Sequence, residues 1–251
     1  MQVMVVVPTF NERQTLGPLL EHVLAFEGYR VTVVDDCSPD GTGEVADAVA
    51  ARFPGRVTVL HRTGRRGLGR SYVDAFRQVL TTDADLICQM DADWSHDPKY
   101  LRDLVGAAEN SDLVVGSRYL HGVSVVDWPL RRLILSVLAN RYIRAVTGLS
   151  VNDCTGGFRC WRRDALARIP FDRIRSDGYA FMVETLFEAA RRGCRMAEVP
   201  IVFVERREGS SKLSIGILAE SLLMPWRLRV RALLGRGLDA RGAGPEASER
   251  P

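Results

Sequence analysis

The sequence predicts an α/β fold, a mostly parallel sheet covered by helices on both faces. Three observations lead there. Short β-branched runs recur at Val3–Val7, Val31–Asp35, Val57–Leu60, Asp85–Met90 and Leu113–Gly116. Helical stretches separate them, near 14–26, 42–52, 67–80 and 98–110, which is the alternation that parallel pairing requires. Polar clusters then sit where such sheets bind ligands, at the carboxyl ends of strands. Pro8-Thr9-Phe10-Asn11-Glu12 follows the first strand, Asp35-Asp36 closes the second, and Asp91-Ala92-Asp93 follows the fourth.

The second half is less regular. A helix over about 129–147 places Leu130, Leu133, Ile134, Val137, Leu138, Tyr142, Ala145 and Val146 on one face and its arginines elsewhere. That stripe suits either a core face or a membrane surface. A Gly-bearing segment, Asp153–Arg159, comes next, then a helix near 179–192, a strand near 195–204 and a polar loop at 205–212. A second amphipathic helix, about 214–234, carries Trp226, Arg227, Arg229 and Arg231, and peripheral membrane contact is expected for it. The expected organisation is a catalytic domain over 1–212, an amphipathic membrane-peripheral helix within 213–236 and a disordered tail over 237–251.

At 251 residues, one sizeable domain with appendages suffices. The formal net charge of +3 is too small to indicate a nucleic-acid partner, but its distribution is informative. Residues 128–147 hold four arginines and no acid, and residues 205–236 hold seven Arg/Lys against three Glu. Each stretch therefore carries +4, the rest of the chain carries −5, and anionic partners are expected at the two basic stretches. The five cysteines are widely spaced with no C-x-x-C pair, which favours a reducing compartment over a disulfide framework or zinc site. The opening residues run straight into a strand without secretory-signal features. No uninterrupted apolar run approaches the roughly 20 residues that span a bilayer. The expected location is cytoplasmic and peripheral on the cytoplasmic face of a membrane.

Asp91 and Asp93 are the sharpest chemical feature. Alternate residues of an extended segment point the same way, so both carboxylates can face one cleft. Paired hard oxygens suit Mg²⁺ or Mn²⁺, which binds through one or two carboxylates plus substrate phosphates. Such an ion would stabilise a departing nucleoside diphosphate as a Lewis acid. Alone, the same pair also suits a solvated helix cap. In Asp35–Thr42, Asp36 is the candidate for contact with a nucleobase, while Asp40 and Thr42 read as turn and N-cap residues. Phe10 offers a flat ring for stacking, and Glu12 a carboxylate for donors on the same base or ribose.

With these residues in place, the sequence resembles glycosyltransferase family two. The strings PTFNE, VVDDxSPDGT, MDADxSHDP, GSRY, DCTGGFR and RxxGxSK occur in that family's order, from about Val3 to about Ser214. More narrowly, they look like the dolichol-phosphate (polyprenol-phosphate) mannosyltransferases. The resemblance implies a GT-A fold, in agreement with the strand–helix alternation. It also implies that Pro8, Phe10, Glu12, Val34 and Asp36 hold the nucleoside. Asp91, Ala92 and Asp93 would hold metal and diphosphate with Ser95 alongside. Arg118 would reach donor phosphate or sugar, and Arg206 and Lys212 would close over the phosphates. Phe10 stands where many relatives have Tyr and Ser95 where some have Gln; Arg65 and Arg66 receive no role.

The implied reaction moves mannose from GDP-mannose to a polyprenyl phosphate. An acceptor phosphate is already a nucleophile near neutral pH, so a single inverting in-line attack needs no strong base. That agrees with four scattered histidines and no Ser-His-Asp or Cys-His pattern. Arg132 is the family-matched residue for the acceptor phosphate, and Arg131 is its neighbour. Glu184 or Asp153 could orient the sugar or a basic side chain. The chain is expected to dock peripherally or to borrow a membrane-anchoring partner protein. UDP-glucose as donor is the alternative within the family. A nucleotidyltransferase would instead show a glycine-rich basic loop near the N-terminus, and a non-catalytic nucleotide-sugar-binding subunit would show broken acidic and basic sets.

Overall fold

The computed structural model of the chain describes residues 1–204 and 222–234. Its main sheet has seven strands in the order β3-β2-β1-β4-β7-β5-β8. The strands are β1 (Val3–Thr9), β2 (Tyr29–Asp35), β3 (Val57–His61), β4 (Leu86–Gln89), β5 (Leu113–Ser117), β7 (Arg159–Arg162) and β8 (Met196–Pro200). All neighbours are parallel except β7, which runs antiparallel between β4 and β5. A two-strand ribbon, β6 (Val125–Val126) with β9 (Phe203–Val204), stands beside the sheet.

Period-two alternation divides the core into two layers. Val3, Val5 and Val7 of β1 and Val31 and Val33 of β2 pack beneath α1 (Arg13–Leu24), α2 (Thr42–Arg52) and α4 (Leu101–Ala107). Met4 and Val6 face the other layer, with α3 (Leu68–Val79), α7 (Gly178–Arg191) and parts of α5 (Leu130–Thr147). The short α6 (Arg163–Ala167) and the helix at 222–234, here α8, add Leu166, Met224, Leu228 and Ala232 to that layer. Strand order reverses at β1, so the crevice between the carboxyl ends of β1 and β4 is the place where such a sheet takes a ligand.

The structure revises one expectation, adds a strand and decides what the sequence left open. The helix foreseen over 98–110 is a 3-10 turn, Pro98–Tyr100, followed by α4. β7 was not foreseen. On α5 the stripe, left open between core and membrane surface, is exposed at its N-terminal end and packs on the core at Tyr142: Leu130, Ile134 and Leu138 are 69%, 50% and 55% exposed, whereas Asn140, Ile143 and Thr147 are buried. The buried face is mostly polar because it serves the neighbouring loops. Asn140 Oδ1 accepts from Cys154 N at 2.7 Å, and its Nδ2 donates to Ser136 O at 3.0 Å. Arg206, Lys212, the loop at 205–212 and the tail at 237–251 lie outside the described residues. Among the described residues, no helix is long and apolar enough to cross a membrane.

Candidate active site

The loops after β1 and β2 brace one another. Backbone N–H groups of Asn11, Glu12 and Arg13 donate to Ser38 Oγ, Thr42 Oγ1 and Asp40 Oδ2 at 3.1, 2.9 and 3.2 Å. Asp40 and Thr42, read from the sequence as turn and cap residues, therefore also fix the Phe10–Glu12 segment. Pro8 and Val34 are buried on paired strands, and Thr9 Oγ1 donates to the Val34 carbonyl at 3.3 Å. Phe10 is 43% exposed, with the Arg66 guanidinium 4.5 Å above its ring. Glu12 is half-buried and accepts from Thr15 Oγ1 at 2.9 Å.

Asp36 is buried and held on both oxygens. Arg62 Nη1 donates to Oδ1, and Gly67 N donates to Oδ2 at 2.8 Å. Arg62 also donates from Nε to Asp74 Oδ2 at 2.8 Å and from Nη2 to the Arg65 carbonyl at 3.1 Å. The sequence reading passed over Arg62 and gave Arg66 no role. Both close the wall around Asp36 and Phe10, because the β3–α3 loop folds back over the ends of β1 and β2. An Arg-Arg pair flanking glycines was the available signal.

Beyond β4, Asp91 and Asp93 face a cavity together with Ser95, His96 and Gly157. Trp94 makes this possible by taking a left-handed backbone (φ 63°) while its Nε1 donates to Thr15 O at 3.2 Å. That turn folds Ser95 and His96 back onto the acids. Ser95 N and Oγ donate to Asp93 Oδ1 at 3.0 and 2.5 Å, and Asp91 N donates to His96 Nδ1 at 3.0 Å. With Nδ1 accepting, the neutral ring carries its proton on Nε2. His96 stacks on Phe158 with centroids 4.8 Å apart. Asn11, Cys37, Trp94 and Asp127 are the non-glycine residues with positive φ among the described residues. Each adjoins a site residue, and strained backbone of this kind costs of order 1–3 kcal/mol and concentrates at functional sites.

The pair fits a divalent ion of the Mg²⁺ or Mn²⁺ type. Among the described residues no group of three or more His, Cys, Asp and Glu side chains is arranged to hold a metal. Two carboxylates therefore suit an ion that completes its shell with phosphate oxygens and water rather than a closed protein cage.

The same cavity has a cationic and aromatic lining as well, with Arg118, Arg132, Trp128, Phe203 and the exposed Tyr179. Arg118 is buried against the fully buried Asp153: Nε and Nη2 each donate to a carboxylate oxygen at 2.6 Å, and Nη2 also reaches Thr155 Oγ1 at 2.8 Å. Burial works to raise the Asp153 carboxyl, but the charge and hydrogen bonds of Arg118 outweigh it and hold it below the usual carboxylate range. The Arg118 guanidinium lies 5.3–5.5 Å from the centroids of Tyr119, Trp128 and Phe203, and Arg132 lies 4.1 Å from that of Trp128. Arg131, one position earlier on α5, is exposed and is not among the residues lining the cavity. Arg159, which the sequence reading left without a role, is fully buried and ties the Gly-bearing loop by donating to the Gly156 and Cys154 carbonyls and to Thr185. Burial lowers its pKa to about 10, so it stays charged at neutral pH.

A family model described as "Glycosyl transferase family 2" matches residues 4–169, well over half of the chain. The chain belongs to glycosyl transferase family 2. It is a glycosyltransferase. Among named relatives, an undecaprenyl-phosphate mannosyltransferase of Micrococcus luteus is 44% identical over 237 residues, 92% of this chain and 96% of that protein. A polyprenol monophosphomannose synthase of Mycolicibacterium smegmatis is 40% identical, over 94% of this chain and 90% of that protein. Among solved structures, glucosyl-3-phosphoglycerate synthase of Mycobacterium tuberculosis, in complex with Mn²⁺, UDP and phosphoglyceric acid, superposes with a TM-score of 0.65. It is 20% identical and covers 98% of this chain and 80% of that one, so the likeness establishes the GT-A fold alone.

Proposed function

We propose that this glycosyltransferase moves mannose from GDP-mannose to a polyprenyl phosphate while docked on the cytoplasmic face of a membrane. One observation carries the reading: a single cavity is lined both by the Asp91–Asp93 pair and by Arg118 and Arg132. It thus faces a donor diphosphate and an anionic acceptor together. The names of the relatives above supply the sugar and the lipid. Pro8, Phe10, Glu12, Val34 and Asp36 bind the nucleoside, with Arg66 as a lid over Phe10. Asp91, Ala92 and Asp93 form the diphosphate end. A Mg²⁺ or Mn²⁺ ion held there by Asp91 and Asp93 would neutralise charge on the departing nucleoside diphosphate. Ser95 fixes the rotamer of Asp93, and His96 fixes the backbone of Asp91. Arg118 and Arg132 orient phosphate oxygens, the neighbouring Arg131 adds positive potential, and Arg206 and Lys212, outside the described residues, are assigned to the donor phosphates. An acceptor phosphate oxygen then attacks the anomeric carbon as the bond to the diphosphate breaks, inverting that centre. Held in this geometry, the step relies on positioning and electrostatics.

Exposed apolar side chains on α5 and α8 support the lipid side. Leu130, Ile134 and Leu138 of α5 are exposed next to Arg131, and Leu222, Leu223, Trp226, Val230, Leu233 and Leu234 of α8 are exposed next to Arg227 and Arg229. The helices are tied by Tyr142 Oη donating to Leu222 O at 2.5 Å. Apolar side chains with flanking arginines suit an interface with anionic headgroups. The test incubates the protein with Mg²⁺ or Mn²⁺, polyprenyl phosphate and labelled GDP-mannose or UDP-glucose in parallel. Label passing from GDP-mannose into lipid, and only with metal, is expected. Transfer from UDP-glucose alone would replace the donor, and lipid product without metal would remove the role given to Asp91 and Asp93.

A further inference from the structure

Helix α8 reaches the nucleoside wall through a buried carboxylate. Glu184 of α7 is 1% exposed. Its Oε1 accepts from Arg231 Nη1 of α8 at 2.8 Å, and its Oε2 accepts from the backbone N–H groups of Arg175 and Ser176 at 3.1 and 3.0 Å. Next in the chain, Asp177 accepts through Oδ1 from Gly69 N at 2.6 Å. Its other oxygen lies 2.0 Å from where a Cβ on Gly67 would stand, so the segment is seated directly on the glycine turn that opens α3. Gly67 N completes the path by donating to Asp36 Oδ2 at 2.8 Å.

We infer that Glu184 and Arg231 are positioning residues for the nucleoside half of the site. A buried carboxylate is retained only while it is paired and hydrogen-bonded. Among the described residues, Arg231 is the cation within ion-pair distance of Glu184. With that charge matched, Glu184 stays inside and pins segment 175–177 to the first turn of α3, which holds Gly67 beneath Asp36. Without it, the carboxylate is drawn toward water and the segment loses its anchor. The helix that presents the exposed apolar face therefore also sets the geometry of the donor pocket some distance along the chain. This inference rests on the nucleotide-donor reading above.

Isothermal titration of the full chain with GDP and, separately, UDP, each with Mn²⁺, tests it alongside thermal unfolding. Arg231→Ala is expected to weaken nucleotide binding roughly tenfold, a coupling of the usual size, and Arg231→Lys to restore most of it. Arg229→Ala is the control, because Arg229 ties α8 to Thr147 O at 3.2 Å without touching Glu184; its nucleotide affinity should match wild type. Should Arg231→Ala fail to fold, Glu184→Leu carries the test, since it removes the acceptors of the Arg175 and Ser176 N–H groups without leaving an orphaned charge. Unchanged affinity in a folded Arg231→Ala or Glu184→Leu protein overturns the inference, as does an equal loss in Arg229→Ala. Binding of neither nucleotide by the wild-type chain overturns the donor reading and this inference with it.

Discussion

Replacing Arg118 by Met separates what the buried pair does for the fold from what it does for the chemistry. The substitution deletes both 2.6 Å hydrogen bonds to Asp153 and leaves a carboxylate with no solvent exposure. Its remaining donors are Arg118 N at 3.1 Å and Thr155 Oγ1 at 3.3 Å. Removing one partner of a buried ion pair costs about 3–5 kcal/mol. For a chain of this size each kcal/mol lowers the unfolding midpoint by about 2–4 °C, so a fall of roughly 6–20 °C is expected by calorimetry or circular dichroism. Replacing both partners, Arg118→Met with Asp153→Leu, removes the orphaned charge and should recover most of that loss. Transfer should nevertheless remain absent in the double variant, because the cavity has lost one of its two lining guanidinium groups. A single variant melting within about 2 °C of wild type would refute the energetic argument. A stable double variant with normal turnover would refute the catalytic one.

Asp93→Ala should abolish transfer while leaving the melting curve nearly unchanged, since Asp93 is half-buried at the cavity edge; near-normal turnover in the folded variant removes its role. The depressed pKa of Asp153 fixes the sign of a pH effect. Its contribution is whole above the unfolded carboxyl value and is lost as pH falls through the lower folded value. Denaturant unfolding of wild type and Asp153→Asn should therefore differ by a constant amount from pH 8 to 5 and converge below about pH 4; a difference that changes between pH 8 and 5 contradicts this. Gly67→Ala places a Cβ 2.0 Å from Asp177 Oδ2 at φ 155°, so nucleotide affinity should fall, and a variant that binds GDP like wild type would show that the turn adapts. Trp226→Ser, on the exposed face of α8, should reduce co-sedimentation with anionic vesicles without altering nucleotide binding, and undiminished co-sedimentation would detach α8 from the membrane.

The first half of the fold was legible because each strand is a short apolar run followed by a turn and a periodic helix, and local pattern suffices for βαβ units. β7 was not, because Arg159–Arg162 offers two central apolar residues between arginines and follows two glycines. Arg159 is nonetheless fully buried, satisfied by carbonyls that only the folded loop brings to it. The face of α5 could not be settled either, since periodicity reports that a stripe exists and not what covers it. At the site, Asp91 and Asp93 were found because their spacing is local. Arg62 was missed because its meaning comes from Asp36, 26 residues earlier in the chain. The links through Asp177 and Glu184 depend on still longer separations.

The composition of the cavity lining around Arg118 and Arg132 favours the proposed anion as nucleophile. An alcohol acceptor needs a base at the attacking oxygen, whereas this wall presents guanidinium groups over indole and phenyl rings. Arg118 commits Nε and Nη2 to Asp153 and is itself among the residues lining the cavity. His96, the imidazole in the cavity, has its Nδ1 engaged by Asp91 N. Aromatic walls exclude water and strengthen each cation–phosphate contact. Such a wall gains most from a substrate that arrives charged, as a phosphate monoester does. A phosphate on a long polyprenyl chain would reach it from the surface where α5 exposes Leu130, Ile134 and Leu138. Charge in the cavity and apolar exposure on the adjoining helix thus both favour the proposed acceptor, an anionic headgroup on a hydrocarbon tail.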